Sequence, residues 1–261
     1  MLFRSRFILN TFRDKVAVVT GAGSGIGQAC ALAFAKEGAK VIVADIAVAG
    51  GEETVRMIKD AKGEAVFVLS DVAKSVDVNS IMTMALKTYG RLDYACNNAG
   101  IGGPAMTTGD YREEDWRAVI DVNLTGAWLC MKYELEIMQK QGSGVIVNMS
   151  SILGKVGFAT ASAYVAAKHG LIGLTQTAAL EYATQNIRIN AVCPGFIYTP
   201  LLEKAGMKIG TDLYTQISNL HPMKHMGTSE EVANAVIWLC SDAASFITGH
   251  ALMVDGGYTA Q

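Results

Sequence analysis

The stretch VAVVTGAGSGIG runs from Val16 to Gly27, and how it folds decides the rest of the chain. Its first part, VAVVT, is an unbroken apolar and mostly β-branched run, the pattern of a strand buried on both faces. Gly21, Gly25 and Gly27 follow at once, and a helical pattern runs from about Gly25 to Glu37. A strand that turns through glycines into a helix leaves the first N–H groups of that helix free, at the positive end of its dipole. Glycine lets the backbone turn tightly and lets a pyrophosphate come close. A glycine cluster alone is a weak signal. After the first strand of a βαβ unit it points to a nucleotide phosphate site.

The same alternation continues outward. KVIVAD (Lys40 to Asp45), AVFVLSD (65–71), LDYACNN (92–98), GVIVNMSS (144–151), IRINAVCPG (187–195) and ALMVDG (251–256) read as further strands. Helical patterns separate them, near Gly50 to Ala61, Val76 to Tyr89, Glu113 to Gln139, Ala161 to Ala183 and Ser229 to Cys240. Continuous apolar strands alternating with helices predict an α/β fold: a parallel sheet of about seven strands with helices on both faces. No linker or composition break divides residues 14–261, so one domain is expected, preceded by an extension over residues 1–13.

Composition narrows the function. The 261 residues are 51% hydrophobic and carry a formal net charge of −2. No block of like charge suggests a nucleic acid or a membrane surface as partner. The mean hydropathy is +0.27, yet no apolar run approaches the roughly 18 residues of a membrane span. The excess apolar surface belongs in a core or between subunits. Cys30, Cys96, Cys130, Cys193 and Cys240 are odd in number, contain no CxxC and sit in apolar segments, so they read as reduced and buried. The four histidines show no zinc-type spacing, no metal is expected, and His221 and His225 read as ordinary loop residues. The Arg-bearing start, with Arg4, Arg6 and Arg13, lacks the long apolar stretch of a secretory signal. A weak organelle-targeting segment is the alternative to a frayed extension, which with a cytoplasmic protein is the default.

SAYVAAKHG, from Ser162 to Gly170, places Tyr164 and Lys168 four residues apart in an alanine-rich helix. Positions i and i+4 share a helix face, so phenol and ammonium point the same way. Taken alone, the pair could be a half-exposed tyrosine beside a solvated lysine.

The glycine spacing is GxxxGxG rather than GxGxxG. With NNAG at Asn97 to Gly100 and the Tyr164/Lys168 pair, the sequence resembles the short-chain dehydrogenase/reductases, in their compact single-domain NAD-dependent branch. The likeness covers about Lys15 to Gly257 with the motifs in order. It implies a Rossmann-type, doubly wound sheet and NAD held by Gly21, Ser24, Gly25, Ile26 and Gly27. Asp45, at the end of the second strand, can accept hydrogen bonds from the adenosine ribose and repel a 2′-phosphate. Ser24 and Ile46 stand where NADP-dependent members usually carry Arg or Lys. By the same resemblance Asp71 and Val72 frame the adenine, and Asn97, Ala99 and Gly100 approach the cofactor backbone. Pro194, Gly195, Ile197 and Thr199 hold the carboxamide.

Four catalytic residues follow from the resemblance. Tyr164 is the acid/base, with Lys168 and a positive nicotinamide favouring its phenolate. Ser151, thirteen residues earlier, binds the substrate oxygen, and Ser150 serves structure or cofactor. Asn123 sits on a locally bent helix and links Lys168 to solvent through a water. The implied reaction interconverts a secondary alcohol and a ketone by hydride transfer.

Residues 201–227, with 101–106 and 152–158, form the expected substrate region. Leu201, Leu202, Met207, Ile209, Leu213, Tyr214, Met223 and Met226 suggest an apolar, methionine-rich lid. No arginine is there to clamp an anion, though Lys204, Lys208 and Lys224 are present, and the balance favours neutral alcohols and ketones, cyclic ones among them. The helix around Glu113 to Gln139 is apolar around much of its circumference and the helix from Ala161 carries small residues that allow close packing, which predicts homo-oligomerisation through both; the resemblance implies a homotetramer. The alternatives are an NADPH-dependent carbonyl or 3-oxoacyl reductase, which Asp45 disfavours, and a non-catalytic NAD-binding regulator, which the intact tetrad disfavours.

Overall fold

Every residue of β1 (Val16–Thr20) is buried, as its composition predicts for a strand near the middle of a sheet. The computed structural model describes residues 12–204, 206 and 208–261. After β1 come α1 (Gly25–Lys36), β2 (Lys40–Asp45), α2 (Val48–Asp60), β3 (Ala65–Leu69), α3 (Ser75–Tyr89) and β4 (Tyr94–Asn97). The second half holds α4 (Glu113–Ile120), α5 (Gly126–Gln141), β5 (Gly144–Met149), α6 (Ser162–Tyr182) and β6 (Ile187–Pro194). It closes with α7 (Pro200–Lys204), α8 (Asp212–Asn219), α9 (Ser229–Cys240) and β7 (Ala251–Val254).

The seven strands are all parallel, in the order β3-β2-β1-β4-β5-β6-β7. The winding direction reverses between β1 and β4. Right-handed crossovers on the two sides of that point put helices on opposite faces and leave a crevice at the strand ends. Alternate residues of β1 serve the two cores. Ala17 and Val19 pack with Phe34 of α1 and Val236 of α9 on one face. Val18 packs with Ile81 of α3 and Leu135 of α5 on the other.

The structure revises four boundaries. Phe12 is no part of a frayed extension. It is 2% exposed, its N–H donates to Glu37 O at 2.9 Å, and its ring packs on Tyr94 with centroids 4.5 Å apart. Sequence alone cannot assign it because the strand begins four residues later. The remainder of the expected extension, residues 1–11, lies outside the described residues. The helix expected from Gly50 starts at Val48. The long helix over Glu113 to Gln139 is divided by a π turn, Asp121–Thr125, where a bend at Asn123 was expected. The strands predicted to reach Asp71, Asn98, Ser151 and Gly195 stop at Leu69, Asn97, Met149 and Pro194. The residues beyond leave the ladder and line the crevice.

Candidate active site

The glycine loop and the NNAG segment clasp each other across the crevice. Gly21 adopts φ +62°, a conformation that L side chains rarely take. A Cβ on Gly27 would run into Gly21 O and Asn98 Nδ2. Asn98 Nδ2 donates to Thr20 O at 3.0 Å and to Gly21 O at 3.1 Å. Thr20 Oγ1 accepts the Asn98 and Ala99 N–H groups at 3.0 and 3.1 Å. Ser24 makes no side-chain cap, and no acid stands in the first turn of α1. The start of α1 therefore presents free donors and an uncancelled dipole to the crevice, which fits a pyrophosphate.

A cavity of about 610 Å³ runs from this loop to the opposite end of the crevice. Its wall includes Gly21, Ser24, Gly25, Ile26, Gly27, Asp45, Asp71, Val72, Ala99, Gly100, Pro194, Gly195, Ile197 and Thr199, with Ser151, Tyr164 and Lys168. Asp45 closes one end. Its Oδ2 accepts Gly23 N–H and its Oδ1 accepts Ala47 N–H, both at 2.7 Å. Two expected residues lie off the wall. Asn97 is 4% exposed, and its Nδ2 donates to Glu134 and Asn148 beneath the sheet. Strand alternation sends Asn97 to the α5 side, and Asn98, beyond the strand end, takes the wall position instead.

Asn123 also stands behind the wall. Its Nδ2 donates to Ile101 O at 2.8 Å and Val119 O at 3.0 Å, and its Oδ1 accepts Ile101 N–H at 3.1 Å. The side chain is thus committed to pinning the segment after NNAG and bridging the π turn.

Lys168 Nζ donates to Met149 O at 2.7 Å and lies 5.4 Å from the Tyr164 ring centroid, so the helix spacing does bring the two together. Burial pulls the Lys168 ammonium down to about 8. The Tyr164 ring borders the cavity and is only half-buried by area, but its hydroxyl is enclosed. That enclosure pushes the phenol up, and a hydrogen bond with Ser151 offsets part of the rise. The depression of Tyr164 expected from Lys168 does not appear in the chain alone, where burial raises the phenol and Ser151 is the group that lowers it. Ser151 Oγ accepts Leu153 N–H at 3.1 Å. Ser150 serves structure, donating to Lys168 O at 3.1 Å.

Beyond Tyr164 the wall turns apolar, with Ile101, Ile152, Leu153, Phe158, Phe196 and Leu202. Lys168 is the only basic residue among the described residues of the wall. Of the expected lid residues, Leu202 lines the cavity, while Ile209 and Met223 are 68% and 62% exposed. Met226 is buried, and Tyr214 packs edge-on against Tyr198. Met207 and the side chain of Leu201 lie outside the described residues. His221 is not an ordinary loop residue. It is 1% exposed, its Nε2 accepts Phe196 N–H at 3.2 Å, and its Nδ1 donates to Ile217 O at 3.1 Å. A carbonyl only accepts, so the Nδ1–H tautomer is assigned from the bonding. His221 thereby holds Phe196 at the cavity. Nothing in its Pro-containing context signals that role.

The family model described as enoyl-(acyl carrier protein) reductase matches residues 21–259. The chain is 43% identical to a cyclohexanol dehydrogenase of Acinetobacter sp. (strain SE19), over 98% of this chain and 99% of the relative. It is 45% identical to a cis-4-hydroxycyclohexanecarboxylate dehydrogenase of Sinomonas cyclohexanicum, over 95% of this chain and 98% of the relative. The crystal structure of a levodione reductase superposes with a TM-score of 0.91 at 35% identity, over 95% of this chain and 99% of that one.

Proposed function

The chain belongs to the short-chain dehydrogenase/reductase family, and from that premise we propose that it is an NAD(H)-dependent dehydrogenase interconverting a neutral cyclic secondary alcohol and its ketone. One observation carries this: Ser151, Tyr164 and Lys168 meet in the cavity whose other end holds the uncapped start of α1 and the Asp45 carboxylate. The loop Gly21 to Gly27 takes the pyrophosphate. Asp45 takes the ribose hydroxyls, and Ser24 and Ile46 beside it offer no cation to a 2′-phosphate. Asp71 and Val72 flank the adenine, and Pro194, Gly195, Ile197 and Thr199 hold the carboxamide. Ala99 and Gly100 follow the cofactor backbone.

The bound nicotinamide supplies the hydride acceptor and a positive ring. Tyr164 takes the alcohol proton at its phenolic oxygen, and in reduction returns it to the carbonyl. Its enclosure, which raises the phenol in the chain alone, also strengthens the attraction of a positive charge placed beside it. Ser151 holds the substrate oxygen; its own oxygen already accepts Leu153 N–H, leaving its proton to donate. Lys168, anchored on Met149 O, passes the proton outward. Asn123 contributes through the backbone of the π turn, since its side chain is committed.

The apolar far wall, with its single and already engaged lysine, supports a neutral substrate. The likeness to a cyclohexanol and a hydroxycyclohexanecarboxylate dehydrogenase supports a six-membered ring. Trp116, Trp128 and Leu180 stand 39%, 46% and 83% exposed on α4, α5 and α6, which supports a homotetramer built on these helices. Five free, buried cysteines support a reducing, cytoplasmic setting.

Nicotinamide absorbance kinetics test the proposal, with NAD and NADP against cyclohexanol, cyclic diols and open-chain secondary alcohols. NAD-selective turnover of the cyclic substrates is expected. A preference for NADP would overturn the role of Asp45. NADH binding without turnover on any substrate would favour a non-catalytic NAD-binding protein.

A further inference from the structure

Glu134 interrupts the apolar run of α5 and is completely buried, away from the cavity wall. Its Oε2 accepts Asn97 Nδ2–H at 3.0 Å. The same Nδ2 donates to Asn148 Oδ1 at 3.1 Å, and Asn148 Nδ2 donates to Thr175 Oγ1 at 2.9 Å. Thr175 donates to Leu171 O at 2.7 Å. The donors run one way, from β4 through β5 to α6, and that direction fixes which Asn97 atom is the nitrogen.

Two buried oxygens are then left without a donor, Glu134 Oε1 and Asn97 Oδ1. They belong to the two groups already joined through Oε2 and Nδ2. One proton on Oε1 satisfies both and closes an acid–amide pair with two hydrogen bonds. A carboxylate would leave both orphaned, at the full desolvation cost of each.

We propose that Glu134 is a neutral carboxylic acid in the folded protein and a positioning residue for the active site, its O–H latching Asn97. Asn97 ends β4, and Asn98, Ala99 and Gly100 immediately after it form cavity wall. Leu171, the last acceptor, lies one helical turn after Lys168. The network thus ties the cofactor wall to the helix bearing Tyr164 and Lys168.

Burial pushes the Glu134 carboxyl up to about 8, with the Asn97 bond offsetting only part of it. The titratable groups that sense it are thiols. Cys96 on β4 is pushed well up by its hydrogen bond with Cys30 and by burial, and Cys130 on α5 by burial. From β5 and α6 the network receives uncharged Asn148 and Thr175. Among the described residues no cation pairs with Glu134.

The positioning role rests on the dehydrogenase reading, whereas the protonation does not. The test compares full-length wild type with Glu134→Gln, whose amide N–H replaces the acid O–H and keeps both bonds of the pair. A glutamate in the unfolded chain ionises near 4.5 while the buried one resists. Wild type therefore loses stability relative to E134Q as pH rises from about 5 to about 8, and the gap is constant above that. The thermal midpoint of E134Q should exceed that of wild type by a margin growing about 3–5 °C per pH unit across that window. Infrared difference spectra at neutral pH should show a protonated carboxyl band in wild type that E134Q lacks. NADH affinity should fall more steeply above pH 8 in wild type than in E134Q.

A margin independent of pH, a missing carboxyl band, or an E134Q that does not fold would each overturn the neutral acid. A growing margin with superimposable NADH profiles would keep the acid and overturn its positioning role. A growing margin with no NADH binding in either protein would overturn the positioning role together with the cofactor reading.

Discussion

Replacing Asp45 by Asn should erase the choice between NAD and NADP. The Asp45 carboxylate stands on the cavity wall, its oxygens held by the Gly23 and Ala47 N–H groups at 2.7 Å each. In the proposed cofactor pose, both bonds aim the carboxylate where a 2′-phosphate would sit. Two unit charges about 4 Å apart repel by about 4 kcal/mol at an effective dielectric near 20. At about 1.4 kcal/mol per tenfold, that is a preference for NAD of roughly a thousandfold in kcat/KM. The Asn side chain carries no charge, so this factor should fall to within about tenfold of parity. It also has a single acceptor oxygen, so either Gly23 or Ala47 faces an NH₂ group instead. Losing one charge-assisted bond costs about 1.5–3 kcal/mol, which should lower NAD efficiency itself by about ten- to hundredfold. Initial rates with both cofactors on one cyclic alcohol measure the ratio, and a thermal midpoint confirms folding. A folded Asp45→Asn protein that keeps the wild-type ratio would refute the electrostatic reasoning.

Tyr164→Phe removes the proton acceptor but little volume. It should cut kcat by about 10²–10⁴ while NADH affinity, read by fluorescence, changes little; retained turnover would place the acid/base elsewhere. Alcohol oxidation should rise with pH up to at least about 9, while ketone reduction should hold steady over that range. Oxidation needs deprotonated Tyr164, and burial holds the phenol above its ordinary value. Rates measured in both directions should show that contrast, and an acidic optimum for oxidation would exclude a tyrosine base. Phe12→Ala should destabilise the protein by about 3–5 kcal/mol in urea unfolding. Its ring is packed between Phe34 and Tyr94, and a change within about 0.5 kcal/mol would return Phe12 to a dispensable extension.

Much of the site was legible because its chemistry is local. The glycine loop, Asp45 and the Tyr164/Lys168 pair each sit at the end of one element or on one helix face, and periodicity places them. Asn97 shows the limit. Two adjacent asparagines look alike in sequence, and only the last ladder pair, Asn97 with Asn148, decides which points under the sheet and which reaches the crevice. His221 shows it again. Its role depends on Phe196, twenty-five residues away in the chain, and no spacing rule connects a histidine after a short helix to a backbone N–H after β6.

What the sequence determined by itself is therefore the architecture and the candidate groups of the site: continuous apolar strands, glycines between β1 and α1, and a phenol and an amine one turn apart. Local backbone preference and hydrophobic period are properties of neighbouring residues, so they survive without a fold. The tertiary structure decided everything set by desolvation and by contacts across the sheet. It drew Lys168 down to about 8, pushed Tyr164 up, and enclosed Glu134 with one oxygen lacking a hydrogen-bond partner. A charge's cost depends on how much water and how many partners surround it, and those are known only once distant segments have closed around it.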